Sequence, residues 1–224
     1  ANATFGNAPS VLVGDFLYSR AFQMMVAVGD MSIMKILSDT TNLISEGEVQ
    51  QLINAKKPDI SEKGYFEVIH KKTAILFEAA CETAATLSGA EETLRRQLTA
   101  YGYHVGIAFQ LIDDALDYTG NTEDLGKNVG DDLAEGKPTL PLIYAMSNSS
   151  EEQSAMIADS IRNGDKSQLS QIINIIRDSG ALDYTLNLAK EHAMSAIKTL
   201  DALPDSTYKQ AMIDLAEFSI SRSN

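Results

Sequence analysis

Asp113, Asp114 and Asp117 spell a DDxxD run near the end of a long apolar segment. At about 100° per residue, Asp113 and Asp117 fall on one helical face while Asp114 points further round. Like charges at i, i+4 repel, and near a helix C-terminus the macrodipole disfavours them too. A divalent cation would remove that cost, since Mg²⁺ takes one or two carboxylates and completes its octahedron with water and substrate phosphates. A solvated acidic helix end is the plainer reading of a bare DDxxD, but the context shifts the balance. Gly126-Lys127 and Gly136-Lys137 follow in one polar loop, the second leading into Pro138-Thr139-Leu140-Pro141. Glycine lets backbone and ammonium approach a diphosphate closely. Upstream, His70-Lys71-Lys72-Thr73 places Lys72 at the edge of an apolar stripe (Tyr65, Ile69, Leu76, Ala80, Thr83, Leu87), with Lys71 turned the other way. A lysine on an apolar face either snorkels to water or serves an anion in a cavity.

The elements that must hold these groups read as helices. Prolines occur only at 9, 58, 138, 141 and 204, and the long intervals between them are rich in strong helix formers. No strand-length alternation, internal repeat or linker is present, so the chain reads as one all-α domain over 1–224. Expected helices run over 9–28, 31–55, 61–87 and 91–118. A polar loop spans 119–137, and shorter helices start near 139, 151, 166, 181 and 206. On the 91–118 helix, Leu94, Leu98, Tyr101, Val105, Phe109, Ile112 and Leu116 form an apolar stripe. Beside it runs a second stripe, Gly102, Gly106, Gln110, Asp113 and Asp117, small at one end and polar at the other.

Composition narrows the function classes. With 224 residues, 18 Lys+Arg against 31 Asp+Glu and a net charge of −13, the surface repels nucleic acid. An anionic small substrate remains possible where a metal and a few lysines reverse the sign. No run approaches the roughly 18 consecutive apolar residues of a transmembrane helix. Cys81 is the only cysteine, which excludes a disulfide framework and fits a reducing, cytoplasmic setting. Ala1-Asn2-Ala3 lacks the marks of a signal peptide and reads as a cut into an ongoing chain.

Phe109-Gln110-Leu111-Ile112-Asp113-Asp114-Ala115-Leu116-Asp117 resembles the second aspartate-rich motif of trans-polyprenyl diphosphate synthases. Lys72-Thr73-Ala74, Lys127 and Gly136-Lys137-Pro138-Thr139-Leu140-Pro141 follow that family's order, and residues 5–15 resemble its segment after the first aspartate-rich motif. The wording of 1–7 and 20–25 is most similar to its long-chain, quinone-side-chain members. The resemblance implies an all-α, isoprenoid-synthase-type helical bundle around a central cavity. It implies condensation of isopentenyl diphosphate onto an allylic, farnesyl-type diphosphate. By carry-over, Asp113, Asp114 and Asp117 bind Mg²⁺. Lys72, Thr73, Gln110, Lys127 and Lys137 bind the diphosphate, and Lys72 and Gln110 join the aspartates as catalytic residues. Tyr118 and Cys81 are expected only to pack.

The family's first DDxxD, with its Arg-Arg-Gly stretch, and its earlier isopentenyl-diphosphate elements would precede residue 1. The chain is therefore expected to be the C-terminal part of a synthase catalytic domain, inactive by itself. Two other readings are a non-catalytic subunit of a heteromeric synthase, which has no need of a repulsive Asp113–Asp117 pair, and a terpene cyclase, which fits the 126–141 loop less well. Val11, Leu12, Phe16, Leu17, Phe22, Met24, Met25, Met31, Met34, Ile36 and Leu37 point in several directions around the first two helices. That surplus predicts a homodimer surface.

Overall fold

The computed structural model describes residues 2–119 and 129–221. Among them the regular elements are all helical. They fall into two compact units, Ala1–Asp39 and Thr40–Asn224.

The first unit holds α1 (Asn2–Phe5), α2 (Asn7–Val28) and the start of α3 (Met31–Asn54). Pro9 lies in the first turn of α2, where its missing N–H costs nothing. Gly29, at φ 73°, ends the helix in the left-handed region that favours glycine. Asp30 Oδ1 then accepts from the Ser32 N–H at 2.7 Å to open α3. Within α2 only Met25 is buried, which removes it from the expected exposed surface, whereas Val11, Leu12, Phe16, Leu17 and Met24 are exposed. Contrary to the expectation drawn from apolar runs, α2 is long and apolar enough to cross a bilayer by length and composition, with a mean hydropathy of 1.3. Asp15 and Arg20 interrupt it, and an apolar helix–helix contact asks for the same composition.

The second unit continues α3 and adds α4 (Glu62–Ile69), a π-helical turn (His70–Ala74) and α5 (Ile75–Leu87). Next come α6 (Glu92–Thr119), the single turn α7 (Asp131–Ala134) and α8 (Leu140–Ser147). Last are α9 (Glu151–Asn163), α10 (Leu169–Asp178), α11 (Ala181–Thr199) with a 3₁₀ turn (Leu200–Ala202), and α12 (Thr207–Ser221). The starts follow local chemistry. Ser61 Oγ accepts from the Gly64 N–H to cap α4, and Ser150 with Gln153 makes a capping box on α9.

The central helix is α6, packed most extensively against α5 and α11. Ile107, Leu111 and Ile112 are fully buried along it, each contributing about 1.5–3 kcal/mol through burial. Its glycines set how closely α5 approaches. A Cβ at Gly106 would lie 2.5 Å from Ala74 Cα, and one at Gly102 would lie 2.6 Å from the Phe77 carbonyl carbon.

Two expectations need correction. The helix expected over 61–87 is interrupted by the π turn, which takes an extra residue per turn and so rotates everything after it. Leu76, Ala80 and Leu87, expected inside, are exposed, and Ala74, Ala79 and Ala85 are buried instead. The loop expected over 119–137 contains α7. Gly126 and Lys127 lie outside the described residues.

Candidate active site

The C-terminal half of α6, the π turn, α3 and the segment from Val129 to Thr139 enclose a cavity of about 540 Å³. Lys72, Thr73, Gln110, Asp113, Asp114, Asp117 and Lys137 all line it. Every residue expected at the site thus borders one space, except Lys127, which lies outside the described residues.

The glycine contacts bring the π turn against α6, and Thr73 Oγ1 donates to Gln110 Oε1 at 2.9 Å. Gln110 Nε2 in turn donates to Asp114 Oδ1 at 2.8 Å. The other oxygen, Oδ2, accepts from the Tyr65 hydroxyl at 2.6 Å. Asp114 is 3% exposed. Burial, then the charge of Asp132, pushes its carboxyl well above the usual range against the pull of these two donors.

Asp117 has a different environment. Its Oδ1 and Oδ2 accept from the backbone N–H groups of Asp131 and Asp132 at 3.1 and 3.2 Å, and its carbonyl accepts from Gly130 N–H at 2.9 Å. It therefore anchors the start of α7 beside the end of α6. Burial and the nearby Asp132 push its carboxyl up to about 6, although the two amides pull it down.

The lysines have partners. Lys72 Nζ donates to Gln51 Oε1 at 2.6 Å and lies 3.3 Å from Glu48. Lys71 reaches instead to Glu46 at 3.5 Å and does not border the cavity, the division expected from the sequence. Lys137 Nζ contacts Asp132 at 3.0 Å and Glu135 at 2.7 Å. Burial opposes its charge, but these two carboxylates outweigh burial and hold the ammonium above the ordinary lysine range. Lys56, at φ 64°, donates its N–H to the Gly136 carbonyl at 2.7 Å and joins the end of α3 to the turn carrying Lys137. Lys166 steadies the same segment through Asp131 at 2.7 Å and the Val129 carbonyl at 3.3 Å.

Sequence reasoning missed Tyr65 as more than a core residue, because nothing in spacing shows where its hydroxyl goes. It gave no role to Asp131, Asp132 or Glu135 and did not see Gln51. A signal existed for Asp131-Asp132, a second acidic pair between the two Gly-Lys dipeptides. Tyr118 packs in the core as expected, its hydroxyl 3.2 Å from Thr139 Oγ1.

The charge count bears on the ligand. Among the described residues, six carboxyl groups, at 113, 114, 117, 131, 132 and 135, line the cavity against two lysines, at 72 and 137. Such a site repels a free diphosphate and attracts a hard cation, through which a diphosphate can then be held. No three His, Cys, Asp or Glu side chains among the described residues are grouped as a complete metal cage. Asp113 and Asp117, both bordering the cavity, match the one or two carboxylates that Mg²⁺ takes alongside substrate phosphates.

Comparison with known proteins shows the family. A family model described as Polyprenyl synthetase matches residues 1–176. The chain is 50% identical over 224 residues to the octaprenyl diphosphate synthase of Haemophilus influenzae, covering 100% of this chain and 68% of that protein. It is 48% identical over 223 residues to the Escherichia coli octaprenyl diphosphate synthase, covering 99% and 69%. Among solved structures, a Caulobacter crescentus polyprenyl synthase complexed with calcium and isoprenyl diphosphate superposes with a TM-score of 0.93 at 42% identity, covering 100% of this chain and 69% of that one. The chain belongs to the polyprenyl synthetase family and has its all-α fold.

Proposed function

We propose that this chain carries the allylic-diphosphate half of a Mg²⁺-dependent trans-prenyltransferase that condenses isopentenyl diphosphate onto an allylic, farnesyl-type diphosphate. The product is a long-chain trans-polyprenyl diphosphate of octaprenyl length for a quinone side chain. The observation that carries this reading is the convergence of Asp113, Asp117, Lys72, Lys137, Thr73 and Gln110 on one cavity. Support for the product comes from the two octaprenyl diphosphate synthases at 50% and 48% identity. Their names also favour catalysis over a non-catalytic subunit.

Asp113 and Asp117 would hold Mg²⁺, which when bound neutralises charge on the departing diphosphate. Lys72 and Lys137 leave Gln51 and Asp132 to meet the diphosphate oxygens, and Lys127 joins them. The allylic C–O bond breaks with its electron pair on diphosphate. The oxygens of Gln110 and Thr73 face the carbon that becomes positive. The isopentenyl double bond supplies the electrons of the new C–C bond, and the released diphosphate takes the lost proton. Burial of Leu111 and Ile112 behind the site keeps that end of α6 dry.

The full-length synthase is proposed to be a cytoplasmic homodimer, joined through α2 and α3. Support comes from the exposed Val11, Leu12, Phe16, Leu17 and Met24. Light scattering at micromolar concentration checks it, and a monomer would refute it. The decisive assay is elongation of farnesyl diphosphate with labelled isopentenyl diphosphate and Mg²⁺ by the full-length protein, the product being sized by chromatography. No condensation would sink the reading. The 224 residues assayed alone are expected to give no elongation, because one carboxylate pair does not hold the several Mg²⁺ ions that ionise the diphosphate.

A further inference from the structure

We propose that Asp114 is not a metal ligand but, with Tyr65, a positioning residue that fixes which way the Gln110 amide faces. This rests on the prenyl-transfer reading above.

Both oxygens of Asp114 are taken up by donors, Oδ1 by the Gln110 amide NH₂ at 2.8 Å and Oδ2 by the Tyr65 hydroxyl at 2.6 Å. With its NH₂ end held at Oδ1, Gln110 turns its amide oxygen toward Thr73. Thr73 then spends its single hydroxyl proton on that oxygen, leaving its own lone pairs for the cavity. The wall formed by Gln110 and Thr73 carries two electron-rich oxygens, with the amide nitrogen drawn toward Asp114. That polarity favours a carbon that becomes positive as diphosphate leaves, and it is set before the substrate arrives. An amide turned by half a rotation would put its NH₂ edge there instead. The terminal torsion of glutamine is broad and does not itself forbid that turn.

Tyr65 completes the device. Its hydroxyl donates to Oδ2 at 2.6 Å, and its ring stands edge-on to Phe66 at 5.4 Å. Tyr65 is 5% exposed and, like Asp114, is buried at the wall of the cavity. The chain Tyr65–Asp114–Gln110–Thr73 ties α4, α6 and the π turn together through side chains. What separates Asp114 from the other two aspartates is burial, since it is 3% exposed and held between side-chain donors from α4 and α6. Asp113 and Asp117 are only half-buried on the open side.

The test uses the full-length synthase with Asp114→Ala, Asp114→Asn and Tyr65→Phe, and Asp113→Asn for comparison. Asp114→Ala is expected to lower single-turnover kcat by roughly tenfold or more without raising KM for the allylic diphosphate. Asp114→Asn should restore most of that loss, because its carbonyl still accepts from Gln110. Tyr65→Phe should lower kcat about threefold. In all three, half-saturating Mg²⁺ and the number of Mn²⁺ ions bound with diphosphate, counted by electron paramagnetic resonance, should match the parent. Asp113→Asn should alter both. If Asp114→Asn is as poor as Asp114→Ala, or if either loses a Mn²⁺ ion, Asp114 is a ligand and the proposal is overturned. If Asp114→Ala does not fold, Tyr65→Phe decides: an unchanged kcat with parental melting temperature overturns the proposal. A parent enzyme without prenyl transfer would defeat the underlying reading instead, while the Mn²⁺ count would still tell whether Asp114 ligates.

Discussion

Along one face of α6 the residues Gly102 and Gly106 give way to Gln110, Asp113 and Asp117, and the two ends of this stripe do opposite things. At the glycine end the backbone of the π turn and α5 comes so close that a single methyl would collide with it. At the polar end the helices are far enough apart to leave a cavity of about 540 Å³. The difference shows that the active-site dimensions are set about two turns away, where no chemistry occurs. Contact at the glycines puts Thr73 within 2.9 Å of Gln110. Without that contact the same polar residues would line a wider, wetter groove.

Breaking the polar end should have the largest effect. In the full-length synthase, Asp113→Ala is expected to reduce kcat by about 10² or more, because it removes a metal contact that strengthens as the diphosphate departs. Steady-state assays at saturating Mg²⁺ check it. Breaking the glycine end should come next. Gly106→Ala forces a Cβ against Ala74 and should destabilise the protein by about 1–3 kcal/mol, seen as a lower urea midpoint. It should also lower activity although no catalytic group has changed, and an active Gly106→Ala would show that the cavity does not depend on this contact.

The two lysines of the π turn sharpen the comparison. Lys72→Ala should raise KM for the allylic diphosphate several-fold, and Lys71→Ala should stay within about twofold of the parent, its partner being a surface carboxylate. Similar behaviour of the two would mean that the π turn does not divide them. The smallest effect is expected on the opposite face of α6. There His104 Nδ1 and His192 Nδ1 lie 3.1 Å apart, joining α6 to α11. Burial lowers both pKa values, and His192, with His104 as its neighbour, falls to about 4. His192 is thus kept neutral in the fold, with His104 shifted the same way, while the unfolded chain takes up protons below about 6.5. Their contribution is complete above that pH and is lost as pH falls toward 4. Melting curves should show this slope, and His192→Gln should flatten it between pH 6.5 and 5.

Much of this was legible in the sequence. The DDxxD pair, the Gly-Lys turn at 136–137 and the inward Lys72 follow from residue type and helical spacing, which act locally. The all-helical bundle follows from the scarcity of prolines and the periodicity of the α6 stripe. The missed features depend on geometry that spacing does not encode. The π turn adds a residue without any marker residue, so Leu76, Ala80 and Leu87 were expected on the wrong side. The inward turn of Asp114 depends on Tyr65, 49 residues away. Only assembly shows that Asp117 anchors α7. The single domain expected over 1–224 is distributed in the structure over two compact units.

The junction between Lys56 and Gly136 bears on the order in which the molecule folds. These residues are 80 positions apart, and their backbone hydrogen bond closes a ring that contains α4, the π turn, α5 and α6. Closing so long a loop carries an entropy cost that grows with the logarithm of its length, and local helices do not offset it until their packing is in place. Helix content should therefore recover in refolding before the turn carrying Lys137 docks. A refolding chain would pass through a helical species with a core but no anion pocket, so secondary structure would return ahead of diphosphate binding.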